Sequence, residues 1–339
     1  MALPSPVPGL VRSTEGALVD SYARVHTYLR ISVTDRCNYR CTYCMPAEGL
    51  EWMQRDRVLS YEEIVRLVRI FAKMGIQRVR LTGGEPTLRR HIDRLIKMLN
   101  EIEGIEEISM TSNGHAFAAK AEQLAAAGLR RVNFSLDTLD PDKFKAITRG
   151  GELQRVLDSI DAALALGLTP VKINCVVVGG ENESDVMKMV EYFSERPGVH
   201  LRFIEFMPFG GASRKHVPVA QLRKKIAQAY SLEVTPSMGG GPSRDFMLEN
   251  GLVVGFISPM TEHFCDSCNR LRLQADGSLR TCLSRDNAPS LRDLLRNGAT
   301  DADLEEAIRT QVFLKVAGHE ADKDGDFRAF EGVMTQVGG

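Results

Sequence analysis

Between residues 27 and about 206 the chain alternates strand-like runs with amphipathic helical ones, and this rhythm restricts the fold more than any other feature. Strand signals fall at Tyr28 to Val33, Gln77 to Thr82, Ile105 to Thr111, Arg130 to Leu136, Val171 to Val178 and Val199 to Phe206. After the first of them, Ser60-Tyr61-Glu62-Glu63 reads as a capping box, and Ile64, Leu67, Val68 and Phe71 recur at helical spacing until Gly75. Strand, helix, strand repeated in this way requires a parallel sheet. Six such units are too few for a closed eight-stranded barrel, so the expected fold is α/β, an open partial (β/α)6 barrel of the TIM type. Polar segments sit at one end of these units: a cysteine loop after the first strand, Gly83-Gly84-Glu85-Pro86 after the second, Thr111-Ser112-Asn113-Gly114 after the third and Ser135-Leu136-Asp137 near the fourth. The carboxyl ends of barrel strands are where active sites are built.

After Phe206 the rhythm breaks into loop chemistry, Pro208-Phe209-Gly210-Gly211 and Met238-Gly239-Gly240-Gly241-Pro242, with one helix expected near Val219 to Tyr230. Short strands follow from Leu252, including a hairpin turning at Asp276-Gly277. The expected organisation is a flexible N-terminal tail over 1–20, a barrel over 21–240 and a C-terminal extension over 241–339 that carries a second cysteine set.

The loop after the first strand reads Cys37-Asn38-Tyr39-Arg40-Cys41-Thr42-Tyr43-Cys44. Three thiolates in one short loop can hold three irons of a four-iron cluster and leave the fourth open to an outside ligand. A zinc knuckle needs a fourth Cys or His nearby, and no histidine lies between His26 and His91. A two-cluster ferredoxin needs a longer cysteine run, and a thioredoxin-like pair would use only Cys41 and Cys44. The C-x3-C-x2-C spacing resembles that of the radical S-adenosylmethionine (SAM) enzymes, in which the open iron chelates SAM and an electron from the cluster yields a 5′-deoxyadenosyl radical.

Bulk composition narrows the partners. Forty-three basic against 44 acidic residues leave a net charge of −1, so no global field recruits nucleic acid or an anionic membrane. The apolar runs, such as Leu252 to Ile257, fall far short of the roughly 20 residues of a membrane helix. Met1 to Gly9 has three prolines and no signal-peptide pattern. Seven cysteines in clustered spacings argue against a disulfide framework and for a reducing, cytoplasmic setting.

A second trio, Cys265, Cys268 and Cys282, admits two readings: a structural zinc site completed by His263, or another cluster with an open iron. Arg270-Leu271-Arg272-Leu273 follows at once, and as a strand it places both guanidiniums on one face, suited to a carboxylate or phosphate. With these residues, and with Gly338-Gly339 at the end, the chain resembles the GTP 3′,8-cyclase family, which performs the first step of molybdenum cofactor biosynthesis. The resemblance covers most of residues 28–283 and the tail.

It implies two 4Fe–4S clusters, on Cys37, Cys41 and Cys44 and on Cys265, Cys268 and Cys282, with SAM as cofactor and GTP as substrate. Tyr43, Gly83, Gly84, Ser135 and Met207 would contact SAM, the two glycines by letting the backbone come close. Arg30, Arg80, Thr111, Lys172, Arg202, Arg270 and Arg272 would contact GTP. Lys172 has support of its own, since a cation in the otherwise apolar Val171 to Val178 run wants an anion. Arg270, Arg272, Gly338 and Gly339 would serve the chemistry, whose product is 3′,8-cyclo-7,8-dihydro-GTP formed after removal of the ribose C3′ hydrogen. Cys175 reads as a small core residue. An external electron donor and a downstream cyclic pyranopterin monophosphate synthase are implied, and a homodimer is allowed. The competing readings are a peptide-modifying radical SAM maturase, which usually carries more C-terminal cysteines, and a non-catalytic electron carrier or zinc-bound module, which needs no Gly-Gly-Glu-Pro loop.

Overall fold

The computed structural model describes residues 5–209, 214–236, 241–283, 290–318 and 334. Its strands are β1 (Tyr28–Ser32), β2 (Arg78–Thr82), β3 (Glu107–Ser112), β4 (Arg131–Ser135), β5 (Val171–Val177), β6 (Val199–Glu205), β7 (Leu232–Thr235), β8 (Arg244–Leu248), β9 (Val253–Ile257), β10 (Arg270–Leu273) and β11 (Leu279–Arg280). All belong to one sheet, ordered β11-β10-β1-β2-β3-β4-β5-β6-β9-β8-β7. The first six are the strands expected from the alternation, and they run parallel, each reached by a helical crossover, as in a partial TIM-type barrel.

The segment expected as a C-terminal extension adds strands to both edges of this sheet. β9 lies parallel to β6, and β10 lies parallel to β1 with Arg270 opposite Tyr28. Val254, Phe256, Leu271 and Leu273 enter the same hydrophobic core as the first six strands. The edges of an open parallel sheet carry unpaired backbone groups, which these strands satisfy. The expected hairpin is present: β10 and β11 pair antiparallel, and Gly277 at its turn has φ +84°.

Within residues 5–20, expected as part of a flexible tail, several residues are instead tied to the rest of the chain. Leu18 is buried and its amide donates to Met74 O at 3.0 Å, Val7 N donates to Ser21 O at 2.9 Å, and Val19 bridges Val25. An apolar side chain placed in the core and a buried Asp20 hold this stretch in place.

The two faces of the sheet differ in chemistry. One carries Leu29, Ile31, Val79, Leu81, Ile108, Met110, Val132, Phe134, Ile173, Cys175, Leu201 and Phe203, all buried in the core with the helices. Among the covering helices, Tyr61–Lys73 starts at the expected capping box on Ser60 and contributes Ile64, Leu67, Val68 and Phe71. The opposite, inner face holds Arg30, Arg80, Ser109, Thr111, Asn133, Lys172, His200 and Arg202, set by the two-residue period of each strand. A TIM barrel normally fills its interior with Val, Ile and Leu. An interior of cations and amides is instead lined for a polar ligand. Among the described residues no helix is long and apolar enough to cross a membrane.

Candidate active site between two cysteine sets

Cys37, Cys41 and Cys44 follow the C-terminal end of β1 on a loop tied down from several sides. The amides of Arg40 and Thr42 donate to Thr148 O and Ile147 O, at 3.1 and 2.9 Å, and Arg149 Nη1 donates to Met45 O at 2.8 Å. The Gly83-Gly84 turn presses directly on this loop. A Cβ on Gly84 would sit 2.2 Å from Arg36 O, and one on Gly83 2.5 Å from Thr34 O. The glycines are therefore required by the approach of two protein backbones; Gly84 N donates to Thr34 O and Glu85 N to Arg36 O, each at 2.8 Å.

Carboxylates gather behind the three thiols. Glu85 is buried and accepts from Asn113 N at 2.6 Å, Thr87 Oγ1 at 2.6 Å and Ser112 Oγ at 2.9 Å, which locks the loops after β2 and β3 together. Asn113 Nδ2 in turn points at Cys37 Sγ, 3.8 Å away. Tyr43 donates to Asp137 Oδ2 at 2.7 Å, and Val176 N donates to Asp137 Oδ1 at 2.9 Å. Burial raises the Asp137 carboxyl to about 6 against the pull of these donors. Burial first, and the charge of Glu85 with it, lifts the Cys37 thiol to about 11; Cys41 is raised by burial, by Cys44 and by Asp137. Cys37 and Cys41 therefore resist ionisation, and their thiolate form needs a cationic group such as iron to hold it.

The second set lies at the opposite end of the strand row. Cys268 precedes β10, whose first residue is opposite the first residue of β1, and Cys282 follows the antiparallel β11 back to that same end. Cations surround it. Lys315 Nζ reaches Cys268 Sγ at 3.4 Å, and Arg270 Nη2 reaches it at 3.8 Å. Burial raises the Cys268 thiol, but Arg270 and Lys315 outweigh it and bring the group down to about 6. His263, the candidate fourth zinc ligand, has its Nδ1 3.0 Å from Pro259 O. Among the described residues no three ligating side chains gather tightly enough for a single metal ion.

Between the two sets runs the cationic face. The register places Arg272, Arg30, Arg80 and Ser109 in one row, and Asn133, Lys172 and His200 in the next. Arg270 and Arg272 share a face, as expected, with Leu271 and Leu273 on the core side. Burial, then Arg202, Arg131 and Arg80, lower Lys172 to about 7. Burial lowers Arg202 to about 9 and, with Arg270, lowers Arg272 to about 10; Arg30 is also depressed, by burial and Arg272. Arg80 Nε, Thr111 Oγ1, Asn133 Oδ1 and Arg202 Nε are buried with no hydrogen-bond partner among the described residues. Clustered positive charge and orphaned polar atoms are the marks of a site shaped for a polyanion.

Ser135 sits on the same inner face, opposite Asn174, and Met207 follows β6, its carbonyl accepting from Phe209 N at 2.9 Å. Gly338 and Gly339 lie outside the described residues. Cys175 is buried as a core residue, its Sγ 3.6 Å from Asp137 O. Residue-by-residue reading of the sequence missed Glu85, Asn113 and Asp137, although it singled out the three strand-end segments that carry them. It missed Arg24 and Lys315 altogether, and no local pattern marks either.

Comparison with known proteins gives the family of the chain. Residues 31–193 match the family model for the radical SAM superfamily, and residues 199–321 match that for molybdenum cofactor synthesis C. The chain is 44% identical over 330 residues to a GTP 3′,8-cyclase of Syntrophomonas wolfei, covering 95% of this chain and 100% of that one. It is 44% identical over 307 residues to the mitochondrial GTP 3′,8-cyclase of Arabidopsis thaliana, covering 89% and 78%. In fold it is similar to Streptococcus suis SuiB bound to S-adenosylmethionine, with a TM-score of 0.60 and 16% identity over 92% of this chain and 78% of that one.

Proposed function

The chain belongs to the GTP 3′,8-cyclase family of the radical SAM superfamily, and from that premise we propose how its residues divide the reaction. The activity is conversion of GTP to 3′,8-cyclo-7,8-dihydro-GTP, the first step of molybdenum cofactor biosynthesis, with SAM and 4Fe–4S clusters as cofactors. The maturase and electron-carrier alternatives fall to the relatives' identity and coverage.

Cys37, Cys41 and Cys44 would hold one cluster, and Cys265, Cys268 and Cys282 the other. When bound, the first cluster and SAM supply the radical chemistry that removes the ribose C3′ hydrogen. Everything else falls to the chain. Arg30, Arg80, Lys172, Arg202, Arg270 and Arg272 take the triphosphate and fix its register, with Thr111 beside them. Planar guanidiniums hold phosphate oxygens bidentately, and Lys172 adds a point charge. Tyr43, Gly83, Gly84, Ser135 and Met207 line the end where SAM would lie. The enzyme's main service is to keep C3′ and C8 of one nucleotide in reacting contact; such positioning contributes about 7 to 11 kcal/mol in favourable intramolecular reactions. Gly338 and Gly339 would complete the site.

The observation that carries this reading is the inner face itself, where in-register cations and buried, unpartnered polar atoms lie between two oppositely placed thiol sets. Anaerobic incubation with SAM, dithionite and GTP tests it. Formation of 5′-deoxyadenosine that depends on GTP, together with the cyclised nucleotide, is expected; SAM cleavage that leaves GTP intact would contradict it. We place the protein in the cytoplasm on its cysteine usage, supplied by an external electron donor. Its product would pass to a cyclic pyranopterin monophosphate synthase; a homodimer is compatible with this scheme.

A further inference from the structure

Behind the second cysteine set, charged side chains from the two ends of the chain meet. Lys315 is 3% exposed, yet its Nζ donates to Arg270 O at 2.8 Å and reaches Cys268 Sγ at 3.4 Å and Cys268 O at 3.5 Å. Arg24, 7% exposed, uses its whole guanidinium. Nε donates to Asp20 Oδ2 at 2.7 Å, Nη1 to Cys265 O at 2.9 Å and Ala317 O at 2.7 Å, and Nη2 to Val316 O at 2.7 Å. Asp20 is itself fully buried; its Oδ1 accepts the amides of Tyr22 and Arg24 at 2.9 and 3.0 Å, and His26 Nε2 lies 3.0 Å from its Oδ2. Asn269 adds a bond to Thr27 Oγ1 at 3.0 Å.

Buried charges are costly, and an arrangement like this is kept where the charged groups are paired and hydrogen-bonded. What these bonds join is specific: the stretch 20–27, the loop 265–270 and the stretch 315–317, all closed around the cysteine pair. At Cys37 of the first set the contact to sulfur is of another kind. There the neutral amide of Asn113 donates to the sulfur, the carboxylates of Glu85 and Asp137 act on Cys37 and Cys41, and the nearby guanidiniums of Arg149 and Arg214 bond backbone carbonyls of the loop.

We propose that Arg24 and Lys315 are positioning residues of the second cluster. Arg24 fixes the Cys265 end of the loop through its carbonyl, and Lys315, by its N–H···S contact and its charge, raises the reduction potential of that cluster. The proposal rests on the reading that Cys265, Cys268 and Cys282 carry a 4Fe–4S cluster. Net charge and hydrogen bonds to sulfur set the potential of such clusters, because each electron added makes the cluster more negative. Neither residue touches the substrate in this scheme.

The test uses the full chain, reconstituted anaerobically, in four forms: parent, Lys315→Met, Lys315→Arg and Arg24→Lys. Iron and sulfide are counted, and the two clusters are titrated by electron paramagnetic resonance. About eight irons in the parent, taking each trio as a four-iron site, are required by the underlying reading. About four would overturn that reading and the proposal with it. Given eight, Lys315→Met should shift the second cluster to a more negative potential and leave the first unmoved, and Lys315→Arg should largely restore the parent value. Arg24→Lys keeps a charge on Asp20 but loses the fork to the carbonyls, so iron should fall towards four while SAM cleavage persists. The first cluster's signal, read in the same chain, reports that the barrel has folded. An unshifted second potential in a fully loaded Lys315→Met, or full and unaltered second-cluster signals in Arg24→Lys, would overturn the proposal while sparing the cyclase reading.

Discussion

The two cysteine sets are alike in composition and differ in the groups that act on their sulfurs. At the first, burial and the carboxylates of Glu85 and Asp137 make ionised sulfur unfavourable, and Cys37 is pushed up to about 11. At the second, Arg270 and Lys315 overcome burial and draw Cys268 down to about 6. A cluster in negative, dry surroundings is harder to reduce and so becomes a stronger donor; one among cations is easier to reduce. The difference suits a division of labour in which one end of the barrel delivers an electron to SAM and the other binds an anionic nucleotide.

The largest predicted effect separates the sets outright. Cys37→Ser should abolish 5′-deoxyadenosine formation while the second set still loads iron; retention of SAM cleavage would break the assignment. Next in size is the face between them. Arg272→Ala removes one charge-assisted bond to phosphate, worth about 1.5 to 3 kcal/mol, or roughly ten- to hundred-fold in GTP affinity. Calorimetry on the loaded enzyme should show this loss with SAM binding unchanged.

A subtler test uses pH. Burial and the neighbouring arginines lower Lys172 to about 7, and a bound triphosphate would restore it towards the usual 10.5. Binding then takes up a proton, so GTP affinity should fall as pH rises above about 7, by at most about tenfold per unit. Lys172→Met should flatten that dependence, and an equal slope in both forms would exclude Lys172 as its source. Smallest is Tyr43→Phe, which leaves buried Asp137 without its phenolic donor. It should cost about 1 to 3 kcal/mol of stability, seen as a melting temperature lowered by several degrees with iron content intact.

Much of this design is legible in the chain. The period-two pattern of Val171 to Val177 sets Lys172 against its apolar neighbours, and Arg30 and Arg80 stand out from Leu29, Ile31, Val79 and Leu81 in the same way. Local periodicity carries no information about which strand lies beside which, so the return of β9 and β10 to opposite edges of one sheet could not be read there. Arg24 and Lys315 show why electrostatic partners are missed: each joins residues more than 40 positions away through backbone carbonyls, which any sequence supplies. Gly83 and Gly84 stand out in the sequence by the absence of a side chain. The backbone that needs the space is that of Thr34 to Arg36.

The comparison between the two ends is tested most directly by adding each small molecule separately to the reduced, fully loaded enzyme and recording electron paramagnetic resonance spectra. SAM should perturb only the signal that is missing from Cys37→Ser, and GTP only the signal that is missing from Cys268→Ser. If both molecules perturbed the same signal, or if GTP perturbed neither, the two thiol sets would not be the separate SAM and nucleotide ends that their surroundings indicate.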